Sequence, residues 1–316
     1  MSLALVTGAS GFIGGAFCER LTALGWQVRA VGRDATTTVD RSLIYCEDLA
    51  AVSPEQLDDW LDGVNVVYHL AGRAHRDERG SELDRYERHR RDNVATTRSL
   101  FAAAQRNSVD RFVFVSSIKV LGDVSPVPLR PAHEPDPKDV YAQTKLEAER
   151  CLEDSRHRGR TRVTIVRPPL VYGPGVKGNF ARLLATVGRG WPLPLGRADA
   201  PRSLLARTNL IDLLIAAERD SAEWRVLHAR DDGDCSVHEL VTQMARSFGH
   251  RPRLIAVPRV VMRAAAFVTG RDAVYQRLFE PLVIDDDETR QVLNWAPPLS
   301  RSCAIEEVVR WWRTKP

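Results

Sequence analysis

LALVTGASGFIGGAF (residues 3–17) is the stretch on which the fold turns. Its first residues form a short apolar run, the length of a buried strand rather than of a helix. The run stops at Gly8, and two more glycines follow at Gly11 and Gly14 before an apolar helical pattern begins. The first glycine permits a tight strand-to-helix turn. The second lets the backbone approach a pyrophosphate, which then sits at a helix N-terminus among free N–H groups. Gly8, Gly11, Phe12, Ile13 and Gly14 are therefore candidate dinucleotide contacts.

The chain downstream repeats the same rhythm. WQVRAVG (26–32), SLIYCE (42–47), VNVVYHLAG (64–72) and RFVFVSS (111–117) read as buried parallel strands. Helical patterns lie near 12–24, 54–61, 81–107 and 138–157. Strands alternating with helices predict an α/β fold, a doubly wound parallel (Rossmann) sheet. A further strand, RVTIVRPPLVYG (162–173), ends on two prolines. Beyond it prolines, loops and short helices predict a smaller, discontinuous substrate lobe. The expected division is 1–175 plus about 202–230 for the dinucleotide-binding domain, and about 176–201 with 231–316 for the lobe. RSLLAR (202–207) and IDLLIAAE (211–218) are expected to return to the main sheet.

Composition narrows the partners. The 316 residues are 44% hydrophobic and 27% charged, which suits a soluble globular protein. A net charge of +4, with acidic residues interleaved, argues against nucleic acid. Five cysteines without a CxxC pair read as reduced thiols of a cytoplasmic protein, with no metal site. The N-terminus lacks the basic and long apolar regions of an export signal. LIAVPRVVMRAAAFVTG (254–270) is too short and too charged to span a bilayer, so no integral membrane contact is expected. It reads as a lid or packing helix, with peripheral membrane contact as the alternative.

The end of the second strand bears on the cofactor. An NAD-specific site usually offers a carboxylate there to the ribose. This chain has Gly32 and then Arg33, and an arginine can pair with a 2′-phosphate through two parallel hydrogen bonds. NADP(H) is thus favoured over NAD(H). The alternative puts Arg33 on the adenine or in solvent and gives Asp34 the ribose. Asp48 is placed to accept from the adenine amino group and Leu49 to pack on the ring.

YAQTK (141–145) sets a tyrosine and a lysine on one helix face. That spacing fits a packed ring beside a cation, or a phenol whose proton is easily removed. A tyrosine near its ordinary pKa of about 10 is a poor base at neutral pH, and a neighbouring ammonium favours the phenolate. TGxxGxxG, SS at the end of a later strand and YxxxK on the next helix together resemble the extended short-chain dehydrogenase/reductases. HLAG (69–72) looks like that family's fourth-strand motif, bringing Leu70, Ala71 and Gly72 to the cofactor. Asn93 matches its central-helix asparagine, and RPPLVYGPG (167–175), with Pro168, its turn into the substrate lobe. GRAH (72–75), SSIK (116–119), GNF (178–180) and PLPLG (192–196) point to the UDP-galactose 4-epimerase type and to bacterial relatives that epimerise or reduce UDP-sugars for surface polysaccharides.

The resemblance implies Ser117, Tyr141 and Lys145 as catalytic residues, with Lys145 also holding the nicotinamide ribose. Tyr141 then exchanges a proton with a sugar hydroxyl, and Ser117 holds the same oxygen. It further implies Asn179 and Arg202 at a UDP-sugar diphosphate and LPLG (193–196), with Leu195, along the uridine. His75 and Lys119 follow strands that end near the nicotinamide; Lys119 also reads as a solvated rim residue. Sugar-nucleotide dehydratases carry an Asp–Glu pair where this chain has Ile118 and Lys119, which sets dehydration aside. The expected activity is 4-epimerisation or 4-ketoreduction of a UDP-linked, N-acetylated hexose by a homodimer. The alternative is a non-catalytic dinucleotide-binding regulator or assembly factor of the same fold.

Overall fold

The computed structural model describes residues 2–34, 43–74 and 80–315. Its main sheet has seven parallel strands in the order β3-β2-β1-β4-β5-β6-β9. The strands are β1 (Leu3–Thr7), β2 (Gln27–Gly32), β3 (Leu43–Tyr45), β4 (Val66–His69), β5 (Arg111–Val115), β6 (Arg162–Arg167) and β9 (Trp224–His228). All five positions of β5 are buried, as a strand covered by helices on both faces demands. The strand order reverses between β1 and β4, so their C-terminal ends open a crevice suited to a ligand.

The helices packed around this sheet begin with α1 (Gly14–Ala23), α2 (Pro54–Leu61), α3 (Glu82–Arg90), α4 (Thr96–Arg106) and α5 (Val140–Ser155). Ser53 and Ser81 start α2 and α3 with reciprocal capping boxes. The predicted helix over 81–107 is one rod, but a single π turn (Arg91–Ala95) joins α3 to α4. Its wider winding re-aims Asn93.

Two prolines split the strand expected over 162–173. Past them, β7 (Leu170–Tyr172) leaves the main sheet and pairs with β8 (Leu204–Ala206). RSLLAR therefore does not return to the main sheet. The helix after it, α7 (Arg207–Ala217), does pack on the main core. The seventh main strand is β9, which sequence reading did not single out.

Side chains of the short β7/β8 sheet alternate between two cores, as successive strand residues must. Leu205 joins the core under α1 and α7, whereas Leu204 and Ala206 face the second core. That second core also holds α6 (Gly178–Gly188), α8 (Val237–Ser247) and α12 (Arg301–Arg313). Between α8 and α12 run α9 (Arg259–Val268), α10 (Asp272–Phe279) and α11 (Asp287–Leu293). Among the described residues, no helix is long and apolar enough to cross a membrane.

Candidate active site

Gly8 has φ +75°, and a Cβ there would lie 2.8 Å from the Ala71 backbone nitrogen. A Cβ on Gly14 would fall inside van der Waals contact of the Gly8 carbonyl oxygen. The glycines thus let the β1–α1 turn, the end of β4 and the start of α1 close on one another. Above them lies a cleft of about 300 Å³ at the C-terminal ends of β1 to β4. Gly8, Gly11, Leu70, Ala71 and Gly72 form one part of its wall; Arg33, Asp48 and Leu49 form another. A cradle whose floor is glycine and backbone fits a pyrophosphate, with side chains left at its ends for the two nucleosides.

Phe12, Ile13, Asn93 and Pro168 stand outside that wall, as do Gly14, Tyr141 and Lys145. Phe12 lies 5.3 Å beneath the Arg207 guanidinium and touches the second core, while Ile13 packs on the main core. Pro168 is buried and accepts a bond from the Ile118 N–H at 3.0 Å. Asn93 turns its amide into the protein: it donates to Thr144 Oγ1 at 3.0 Å and accepts from the Arg73 N–H at 2.7 Å. It clamps the chain after β4 to α5. Asp48 is also engaged, since one carboxylate oxygen caps the Ala50 N–H and the other pairs with Arg91. The adenine role expected of it competes with those bonds. His75 lies outside the described residues.

The three predicted catalytic side chains converge. Ser117 caps the 3₁₀ turn Ile118–Leu121 at the end of β5, accepting from the Lys119 N–H at 3.3 Å. Asp139 caps α5, accepting from the Ala142 N–H at 2.8 Å, and so sets Tyr141 on the first turn. A hydrogen bond joins Ser117 to the Tyr141 phenol. One turn on, the buried Lys145 donates from Nζ to the Val115 carbonyl at 2.9 Å and sits 4.5 Å from the Phe114 ring centre. A Cβ on Gly72 would lie 3.0 Å from Lys145 Nζ, so the ammonium adjoins the cleft wall.

The electrostatics differ from the sequence expectation. Desolvation pushes the Tyr141 phenol up to about 12, with Ser117 acting against it and the Asp139 carboxylate adding to it. Lys145 does not lower it; burial instead brings the Lys145 ammonium down to about 8, with Glu149 opposing. Lys119 is not a solvated rim residue. Its Nζ is held by Asp139 and, at 3.3 Å, by Asp123.

The substrate residues are less concentrated. Arg202 donates from Nη1 to the Glu280 carbonyl at 2.6 Å, and burial lowers its pKa to about 10. Asn179 is exposed on the first turn of α6. Leu195 is 4% exposed, and its side chain packs in the second core. Sequence reasoning missed Lys177, which reaches the cleft from the start of α6, and Ser10, whose Oγ accepts from the Arg33 N–H at 3.2 Å. Their signals were present: Lys177 is one of few lysines, and Ser10 stands between the first two glycines.

A doubly wound sheet with this glycine cradle, and with serine, tyrosine and lysine gathered beside it, defines an extended short-chain dehydrogenase/reductase. The profile of the "NAD dependent epimerase/dehydratase family" matches residues 4–225, and the chain belongs to that family. It is 34% identical to a UDP-glucose 4-epimerase of Vibrio cholerae over 93% of this chain and 90% of the relative. It is 27% identical to an N-acetyl-alpha-D-glucosaminyl-diphospho-ditrans,octacis-undecaprenol 4-epimerase of Escherichia coli O157:H7, over 78% of this chain and 72% of the relative. The solved structure of MoeE5 in complex with UDP-glucose and NAD superposes with a TM-score of 0.79 at 26% identity, covering 98% of each chain.

Proposed function

We propose that this chain is an NAD(P)-dependent 4-epimerase of a UDP-linked, N-acetylated hexose. The observation that carries the reading is the Tyr141–Ser117 pair beside a Lys145 whose ammonium adjoins the Gly72 wall of the cleft. In this reading Gly8, Gly11 and Ala71 hold the pyrophosphate, and Lys145 and Gly72 lie at the nicotinamide end. The bound nicotinamide supplies a hydride acceptor and donor. Tyr141 takes the proton from the C4 hydroxyl and later returns one to the same oxygen, while Ser117 holds that oxygen in line. A phenol at about 12 is almost wholly protonated at neutral pH, so in this reading the loaded site brings it down for catalysis. An N-acetyl group finds support in the E. coli relative's name, and UDP in the MoeE5 complex. Arg33, next to Gly32 in the cleft wall, supports NADP(H); the NAD in MoeE5 supports NAD(H).

The test is to incubate purified protein with UDP-N-acetylglucosamine without added cofactor, read the C4 epimer by NMR, and extract the retained dinucleotide. Epimer formation lost by at least about a hundredfold in Tyr141→Phe, with dinucleotide still bound, is the expected outcome. Turnover that consumes one NADPH per sugar would make the protein a 4-ketoreductase. Dinucleotide binding without turnover of any tested sugar would favour the regulator. Gel filtration tests the homodimer, and the five free thiols support cytoplasmic residence.

A second reading keeps the chemistry and changes the carrier to a lipid diphosphate, as the E. coli relative's name describes. The exposed apolar helix α9, on the lobe that bears Arg202, favours it.

A further inference from the structure

Helix α9 turns its apolar side away from the protein. Val260, Phe267 and Val268 expose 80%, 77% and 83% of their surface, and Val261 exposes 55%. Together with Ala264 they recur at helical spacing and form one face. Ala266, the helix's buried residue, and the half-buried Met262 anchor the opposite face. A helix of a globular protein ordinarily covers its apolar face with core. Packing through Met262 and Ala266 therefore accounts for one face of α9 and leaves the other uncovered.

Charge says what covers it. The helix carries Arg263 at the border of the apolar face, Arg259 nearer its anchored side, and no acidic residue, and Arg271 follows its end. Arg259 pairs with Asp199, while Arg263 makes no ion pair among the described residues. An apolar face rimmed by arginine fits the headgroup boundary of an anionic bilayer. Ten residues lie on such a surface and cannot span it. An isologous contact between two copies would set these arginines against themselves.

We propose that α9 docks this protein onto an anionic phospholipid surface. The chain just before it pairs with the 193–196 segment: Leu193 N–H donates to the Arg253 carbonyl, and Ile255 N–H to the Leu193 carbonyl, both at 2.8 Å. The chain just after it supplies, from α10 and Glu280, the carbonyl that accepts from Arg202. The docking helix is thus tied on both sides to the residues read as the sugar carrier's seat. Docking goes beyond the sugar chemistry and stands or falls separately from it.

Flotation of the full-length protein decides the matter, using vesicles of phosphatidylcholine alone or mixed in equal parts with phosphatidylglycerol. The protein is expected to float with the mixed vesicles, and less so as salt rises. Val260→Glu combined with Phe267→Glu should weaken that partition by at least about tenfold, and Arg263→Glu by about fivefold or more. Turnover of a soluble UDP-sugar and the melting temperature should stay unchanged in these variants. Protein that remains soluble beside the mixed vesicles, or variants that float as well as the parent, would overturn the proposal. So would a dimer that dissociates in the Val260/Phe267 variant, because the face would then belong to a second copy.

Discussion

Lys145 and Lys119 flank the Ser117–Tyr141 pair in the chain, yet their surroundings give them opposite duties. Lys145 is 4% exposed with a pKa brought down to about 8, so its charge is held at a cost to the fold. Below pH 8 both folded and unfolded chains keep this proton. Between about 8 and the ordinary 10.5 only the unfolded chain keeps it, so stability from this group rises with pH. Lys145→Met should therefore abolish turnover yet stabilise the fold at pH 7 by on the order of 2 kcal/mol, after the orphaned Val115 carbonyl is counted. Urea titrations at pH 7 and pH 10 check the sign: the variant's advantage must shrink at the higher pH. Lys119 works through Asp139, the carboxylate that pushes the Tyr141 phenol up. With Lys119→Met that carboxylate is no longer neutralised on this side, and the base-dependent limb of the kcat profile should move to higher pH. Lys119→Arg should move it back, and a profile unchanged in the methionine variant would contradict the assignment.

At the scale of elements, the β1–α1 turn is the least forgiving. Gly14→Ala would drive a methyl into the Gly8 carbonyl, where backbone rather than a flexible side chain must yield. The expected cost is about 1–3 kcal/mol of stability together with loss of dinucleotide binding, read by urea unfolding and by quenching of intrinsic fluorescence. This turn was legible in the sequence because its requirement is local: backbone closes on backbone, and glycine alone permits it. The Tyr141–Lys145 spacing was legible for the same reason, since helical geometry fixes it. The Asp139 partner of Lys119 was not, because it arrives only after the 123–138 segment returns to the turn that follows β5, where the Asp136 N–H donates to the Val120 carbonyl; Asp123, four residues on, is a local partner. Nor did the apolar run LPLG disclose that Leu195 faces the second core, because burial and ligand contact demand the same residue type. The strand β8 was mis-assigned because it is apolar on both faces, which says that it is buried but not in which sheet. The pKa of Tyr141 depends on desolvation, a property of the assembled site.

The core under α1 and α7 and the core around α6, α8 and α12 meet across the small β7/β8 sheet, and a buried carboxylate lies at that meeting. Asp231 follows β9 and is fully buried. It accepts from the Tyr172 hydroxyl at 2.7 Å, from the Ala206 N–H at 2.8 Å and from Asn209 Nδ2 at 2.8 Å. Those donors sit on β7, at the end of β8 and on α7, so one carboxylate ties the small sheet and the helix behind it to the main sheet. Asn209 extends the tie by bonding both the N–H and the carbonyl of Leu299, ahead of α12. Removing the carboxylate leaves several buried donors without an acceptor, whereas removing one donor leaves the rest in place. Asp231→Ala should accordingly cost about 3–5 kcal/mol in urea unfolding, and Tyr172→Phe only about 1 kcal/mol. Because Arg202, the residue proposed for the sugar carrier, bridges to Cys235 of the second core while the cradle lies on the main sheet, Asp231→Ala should also raise KM for the sugar substrate more than it weakens dinucleotide binding. Equal loss of both, with an unfolding midpoint matching the parent's, would show that the two cores are held in register by packing and not by this carboxylate.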